Sequence, residues 1–256
     1  MWLLLCCSND EPALWLAVRL RRAGLQPLHI LTPELLCFPR TSEFQLEDSA
    51  THSRLVLRDG STLESEKIRG VINRIEFLPA SCFSRALPAD REYAAQEMEA
   101  LLTSWLFSLR CPVVNPPTAG CLGGEQRGWL EWAKLAAKAG LNALAGTQTC
   151  GPHGGGLKIK PPPADARSRE RIWVCDSRCD GTNRDALPLL AAAVIRLAAL
   201  AKAPLLELDL IVDRLGKRWL CGVNSRPDFR HGGPQLLDLL ASHFLGEYDP
   251  VMRHTL

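Results

Sequence analysis

The chain has 256 residues, 46% of them apolar, and a formal net charge of +2. That length suits one large domain or two small lobes with a sizeable core. The near balance of 30 basic and 28 acidic residues, scattered along the chain, argues against a dedicated nucleic-acid binder, which concentrates basic residues on one face.

The N-terminal run "MWLLLCCSND" has no basic residue ahead of its short apolar stretch, and Asp10 and Glu11 follow at once. It reads as a buried first strand rather than a signal peptide. The most apolar later stretch, "LLAAAVIRLAALAKAPLL", carries Arg196 and Lys202, so no membrane span is expected. A cytoplasmic protein is expected. The ten cysteines are spread over the whole chain. Cys6, Cys7, Cys111, Cys175 and Cys221 lie in apolar strands and read as small buried hydrophobes. Cys175 and Cys179 lack the spacing of a zinc pair, and Cys150 and His153 make no ligand pattern. Neither a structural metal nor a disulfide is expected.

In chain order, "MWLLLCCS" reads as a strand and Ser8-Asn9-Asp10 as a helix cap. The helix "DEPALWLAVRLRRAG" has Pro12 in its first turn and Gly24 at its stop. "LQPLHIL" is the next strand, which makes a β-α-β opening with a parallel pair and a right-handed crossover. The first turn, "CCSNDEP", has no glycine and is not a dinucleotide fingerprint. "SRLVLRDGSTLESEKI" alternates around Asp59-Gly60 and predicts a hairpin. "IRGVINRI" is a further buried strand. "DREYAAQEMEALLTSWLFSLR" is a long amphipathic helix with acids early and Arg110 late. "CPVVNPP" is a short strand stopped by prolines.

"TAGCLGGEQRGWLEWAKLAAKAGLN" predicts a loop and a helix ending at Gly140. Residues 142–170 are rich in Gly and Pro with several bases, and read as a loop or lid with at most one short strand, at "LKIK". "RIWVCDSR" is a strand and "DALPLLAAAVIRLAALAKA" an apolar helix. "LELDLIVDRLGKRWLCGVNSRPDF" gives two strands joined at "DRLG". "GPQLLDLLASHFL" is the last helix.

The candidate chemistry lies in that final hairpin. Asp209 in its first strand and Asn224 at the end of its second are a carboxylate and an amide placed to hold Mg²⁺ against a nucleotide phosphate. Gly222 stands where a second carboxylate would be expected. Glu207, two residues before Asp209, shares its face and is the group able to compensate. Each residue also has a plainer reading: Asp209 as a strand-end carboxylate, Asn224 as the turn residue before "SRP". Arg226 either pairs with Asp228 or reaches a phosphate or carboxylate. Lys158 and Lys160 share one face around Ile159, where they serve a ligand or protect a strand edge. The six histidines are scattered and no "GxSxG" elbow is present, so a covalent hydrolase is not expected.

The order of these elements resembles the ATP-grasp superfamily, in particular its microviridin-type peptide ligases. The matching stretches are "GVINRI" (70–75), "EMEALLTSWL" (97–106), "VVNPP" (113–117), "LAAKAGL" (135–141), "RIWVCD" (171–176) and "ELDLIVDRLGKRWLCGVNSRPDF" (207–229). Each is a common strand or helix; their order is the specific part. The resemblance implies an α/β chain, with an N-terminal parallel-rich αβ lobe at 1–118 and a truncated ATP-grasp-like α+β lobe at 119–256. It implies ATP and Mg²⁺ as cofactors, with Asp209 and Asn224 on the metal and Lys158, Lys160, Arg171 and Arg226 on the nucleotide. Arg171 resembles the family's phosphate-contacting arginine, with a solvated basic loop shared with Arg167 and Arg169 as the alternative. The "HGGG" run (153–156) would form part of a phosphate-covering loop.

In that family ATP phosphorylates a carboxylate and an amine displaces the phosphate, by positioning and charge neutralisation. This chain departs from the pattern in Gly222, where the family has Glu, and in a shorter central lobe. A charge about 4 Å away is worth on the order of 4 kcal/mol at an effective dielectric of roughly 20, so weak binding of ATP·Mg²⁺ is expected. The sequence therefore predicts a degenerate ATP-grasp-like protein, a binding or partner subunit for a peptide, a protein substrate or an active ligase. The alternatives are a working carboxylate–amine ligase and an α/β interaction protein without a nucleotide site.

Overall fold

The computed structural model describes residues 1–47, 51–149, 156–160, 166 and 168–246. The chain divides into two compact units, Met1–Gly124 with the segment from Leu240, and Glu125–Leu239.

The first unit runs β1 (Trp2–Leu5), α1 (Glu11–Arg22), β2 (Leu28–Leu31), α2 (Pro33–Cys37), β3 (Thr41–Leu46), β4 (Thr51–Val56), β5 (Thr62–Glu64), β6 (Gly70–Asn73), α3 (Arg91–Ser108) and β7 (Val113–Val114). One sheet has the order β2-β1-β6-β7 and is parallel throughout. Every residue of β1 and of β6 is buried, which is why their runs "WLLL" and "GVIN" do not alternate.

Within the stretch Ser8-Asn9-Asp10 expected to cap α1, the cap is Asp10, whose Oδ1 accepts the Ala13 N–H at 3.1 Å. The same carboxylate takes Arg74 through Nε at 2.8 Å and Nη2 at 3.2 Å. Arg74 directly follows β6, the neighbour of β1. One carboxylate thus ties the start of α1 to the end of β6, and both side chains are largely out of solvent.

A second sheet, β3-β4-β5, is antiparallel. It contains the predicted turn at Asp59-Gly60, with Gly60 at φ 88°. Its inner face reaches the core through Leu55, Leu63 and Ser53, whose hydroxyl accepts from Trp105 Nε1 of α3 at 3.1 Å. Neither β3 nor α2 was predicted. All six residues of β3 are exposed, so no burial pattern marks it.

The second unit contains α4 (Trp129–Ala139), β8 (Gly146–Thr149), β9 (Gly156–Ile159), β10 (Ser168–Cys175), β11 (Arg178–Gly181), α5 (Leu187–Ala201), β12 (Leu205–Val212) and β13 (Arg218–Asn224). A last helix, α6 (Phe229–Leu245), is interrupted at Gly233, ahead of Pro234; its residues from Leu240 onward belong to the first unit. The sheet order is β11-β10-β12-β13, antiparallel. One face presents Ile172, Val174, Leu206, Leu208, Leu210 and Leu220 to a core shared with α4 and α5. Gly140 ends α4 at φ 93°, where a side chain would cost about 1 kcal/mol or more.

Within 142–170 the chain forms a hairpin, β8 paired with β9, where at most one strand was expected; "GTQT" has no apolar alternation to announce it. The strand at "RIWVCD" begins earlier, at Ser168, and turns back into β11. Residues 153–155 of "HGGG", Cys150 and Arg167 lie outside the described residues. Among the cysteines read as buried, Cys6, Cys111 and Cys175 are so, whereas Cys7 and Cys221 are half-buried. Burial pushes the Cys6 and Cys175 thiols up to about 12. Among the described residues no helix is long and apolar enough to cross a membrane.

At the edge of the second unit's core, Glu170 of β10 reaches across β12 to Arg218 of β13. Its Oε2 accepts from Nε at 2.7 Å and its Oε1 from Nη2 at 3.2 Å, while Asn183 Nδ2 donates at 2.7 Å. Burial opposes ionisation of Glu170. The Arg218 guanidinium and the Asn183 amide outweigh it and hold the carboxyl below its ordinary range.

Asp10→Ala removes a helix cap and leaves the Arg74 guanidinium buried without this partner. It should cost about 3 kcal/mol, read as a lower urea midpoint. Because the folded-state pKa of Glu170 is depressed, its contribution is complete above the ordinary glutamate range and lost as pH falls through the folded value. Glu170→Gln should accordingly lower stability at neutral pH and flatten its acid limb in melts run across pH.

Candidate functional site

The site is built by strand alternation. With Leu206, Leu208 and Leu210 facing the core, Glu207 and Asp209 of β12 must face the other way. The register sets Arg171 and Trp173 of β10 opposite Asp209 and Glu207. It sets Gly222 and Asn224 of β13 opposite the same two residues. A bulge leaves Cys221 without a partner between the Leu210–Leu220 and Asp209–Gly222 pairs. That extra residue lets Leu220 and Val223, three apart, share the core face. The predicted turn lies between the strands at Asp213–Gly216. Its first residue accepts the backbone N–H groups of Leu215 and Lys217 at 2.9 Å each.

Arg171 Nε donates to Asp209 Oδ1 at 3.0 Å and lies 3.9 Å from Glu207 Oε1. Trp173 Nε1 donates to Glu207 Oε2 at 2.9 Å. Glu207 is buried, whereas the Asp209 and Arg171 side chains are 41% and 37% exposed. The hydrogen bond to Asp209 raises the Arg171 pKa. Partial burial works against this, and the Asp209, Glu207 and Asp228 charges support it.

Gly222 is a close approach rather than an opening. A Cβ there would stand 3.3 Å from Asp209 Oδ2 and 3.4 Å from its Cβ, so β13 closes tightly on Asp209 because the position has no side chain. Asn224 Oδ1 accepts the Arg226 N–H at 2.9 Å, the local turn that Asn favours. Arg226 is exposed. Asp228, weighed from sequence as its partner, takes Arg230 at 2.6 Å, and that hydrogen-bonded guanidinium lowers the Asp228 carboxyl to about 2.

Of the residues singled out from sequence, Arg171 and Asp209 are in contact, and Asn224 faces Glu207 on the adjoining strand. Lys158 and Lys160 belong to the separate β8–β9 hairpin, where both are exposed and the Lys160 N–H donates to Ala145 O at 2.8 Å. Trp173 was missed. Its spacing of two from Arg171 puts it on the same face, but only the fold shows that its indole N–H reaches a buried carboxylate. Mg²⁺ asks for convergent oxygen donors. Here the cation lying between Asp209 and Glu207 is a guanidinium, and among the described residues no three His, Cys, Asp or Glu side chains gather into a metal-binding group. As arranged, the donor set does not fit a divalent ion.

No protein-family model matches this chain, and no curated protein does. Solved structures do match, and the fold is that of ATP-grasp ligases. The chain is similar to the macrocyclase MdnC of Microcystis aeruginosa MRC, solved with the precursor peptide MdnA, at 12% identity over 96% of this chain and 99% of that one, with a TM-score of 0.69. It is similar to the Chryseobacterium gregarium RiPP-associated ATP-grasp ligase, solved with ADP and a leader and core peptide, at 10% identity over 97% of each chain, with a TM-score of 0.65. The macrocyclase MdnB of the same Microcystis strain matches at 15% identity over 96% and 99%, with a TM-score of 0.63. The resemblance drawn from element order therefore holds for the fold.

Trp173→Phe keeps the ring but removes the donor to Glu207. A lost hydrogen bond to a buried charge should lower stability by about 2 kcal/mol. Adding Glu207→Gln should recover part of that loss in the same urea titration, because the remaining group is neutral.

Proposed function

We propose that this chain is a degenerate ATP-grasp-like protein with weak or absent ligase activity, a cytoplasmic binding or partner subunit for a peptide or an active ligase. The observation that carries this reading is the Arg171 guanidinium seated against Asp209 and near Glu207, with Gly222 opposite Asp209 where a carboxylate would strengthen a metal site. A second cation about 4 Å from a guanidinium meets several kcal/mol of repulsion at an effective dielectric of roughly 20. Asp209, already hydrogen-bonded, offers little to offset it. Support for a peptide partner comes from the similar structures solved with precursor, leader and core peptides.

A second reading, an ATP- and Mg-dependent carboxylate–amine ligase, has one observation in its favour. Glu207 and Asp209 share a sheet face with Asn224, so two carboxylates and an amide would remain if Arg171 moved to a phosphate.

Calorimetry with ATP and MgCl₂ on the purified chain separates the two. The degenerate reading expects a dissociation constant weaker than about 100 µM, well short of the roughly −8 kcal/mol of a micromolar complex, and no further weakening when EDTA removes Mg²⁺. Tight binding abolished by EDTA would overturn it in favour of the ligase.

A further inference from the structure

Cys37 closes α2, and Cys82 lies in the single-turn 3-10 helix Ala80–Phe83 that packs on it. The two segments are clasped at successive positions. Phe38 and Phe83, each one residue further on, meet edge to face with ring centroids 5.7 Å apart. The thiols beside them are hydrogen-bonded to each other, Cys37 donating and the Cys82 sulfur accepting. Both are free thiols in this structure; Cys37 is buried, whereas Cys82 is half-buried and within reach of a small solute. Each segment is also pinned from outside. Arg58 Nε donates to Phe38 O at 2.9 Å, and Arg91 Nη2 donates to Ser84 O at 3.0 Å. The fold thus holds two sulfurs, distant in sequence, against each other at the margin of the first unit's core.

We propose that Cys37 and Cys82 form a redox dithiol, which hydrogen peroxide closes to a disulfide. This inference does not rest on the functional reading above. In the first step the Cys82 thiolate attacks one peroxide oxygen. The O–O bond breaks, Cys82 becomes a sulfenic acid, and the departing hydroxide takes up the proton that Cys82 gave up. In the second step the Cys37 sulfur attacks the Cys82 sulfur. The S–S bond forms, the S–O bond breaks, and the oxygen leaves as water with the Cys37 proton. Two thiols and one hydrogen peroxide give one disulfide and two waters.

The surroundings assign the two roles. Burial first, then the Glu34 carboxylate, hold the Cys82 thiol above its ordinary range, and the hydrogen bond from Cys37 works against them. Cys37 is pushed up to about 12, by burial first, with Cys82, Glu34 and Glu99 adding to it. Cys82 is therefore the attacking sulfur and Cys37 the one that resolves it. Thiolate is the reactive form, so the raised values make the reaction slow. A disulfide needs the sulfurs about 2.05 Å apart, and the single turn that carries Cys82 is the segment short enough to shift. The bridge closes a loop of about 45 residues, which restricts the unfolded chain. That loop contains β3, β4, β5 and β6.

Hydrogen peroxide added to the reduced, native chain, with samples alkylated over time and mapped by mass spectrometry, tests the proposal. A peptide pair joined through Cys37 and Cys82 should appear before half-buried Cys121, Cys179 and Cys221 lose their thiols. Dithiothreitol should restore both. The bridged chain should melt about 5 °C or more above the reduced one. Cys37→Ala removes the resolving sulfur and should halt the reaction at a Cys82 sulfenic acid, captured with dimedone. Cys82→Ser, at a half-buried position where the fold tolerates it, should abolish the rise in melting temperature and leave the Cys37 thiol intact at the same peroxide concentration. A bridge from Cys82 to Cys7, whose charge Cys82 also senses, would overturn the proposal. So would a bridge that forms only in urea, or intact Cys37 and Cys82 thiols after Cys121 and Cys179 have been oxidised.

Discussion

The strict two-residue alternation of β12 governs the second unit. Its leucines at 206, 208 and 210 enter the core with α4 and α5, and this burial is worth about 1.5–3 kcal/mol for each side chain. Glu207 and Asp209 have no other place to go than the opposite face. A slip of one residue would bury two carboxylates and expose three leucines, so the register that builds the core also builds the charged face. The bulge at Cys221 extends the same logic to β13. It keeps Leu220 and Val223 on the apolar side and so brings Gly222 and Asn224 to the polar one.

Polar clasps then tie the strands together on both faces. Consecutive residues of β10 do this in opposite directions: Glu170 holds Arg218 on one side, and Arg171 holds Asp209 on the other. The buried Glu207 carboxylate survives because an indole N–H and a nearby guanidinium answer it, as a charge taken out of water requires. In the first unit Asp10 plays the corresponding part, capping α1 and pairing with Arg74, just past the end of β6. In each unit a charged side chain on one element is satisfied by an element distant in sequence.

These clasps also set how much charge the sheet face leaves free. A carboxylate that neutralises a resident guanidinium stabilises the sheet and leaves little charge for a second cation. The same sheet face has a structural reason of its own, since the absence of a side chain at Gly222 allows close approach to Asp209.

Much of the fold was legible in the sequence. The buried runs of β1 and β6, the helix cap within Ser8-Asn9-Asp10, the hairpin at Asp59-Gly60 and the turn at "DRLG" are local signals, written by burial, capping and turn chemistry within a few residues. Their order carried the ATP-grasp resemblance. For the site, alternation placed Glu207 with Asp209 and Gly222 with Asn224. What the sequence did not disclose depends on distant neighbours. β3 and β8 are strands because a partner strand supplies hydrogen bonds, with little apolar burial to mark them. Trp173 matters through a carboxylate thirty-four positions away, and Arg171 through Asp209 on the next strand. The sequence by itself determined which residues face the core and which face out. Only the tertiary structure decided which of the outward charges neutralise one another, because electrostatic pairing follows distance in space and not spacing along the chain.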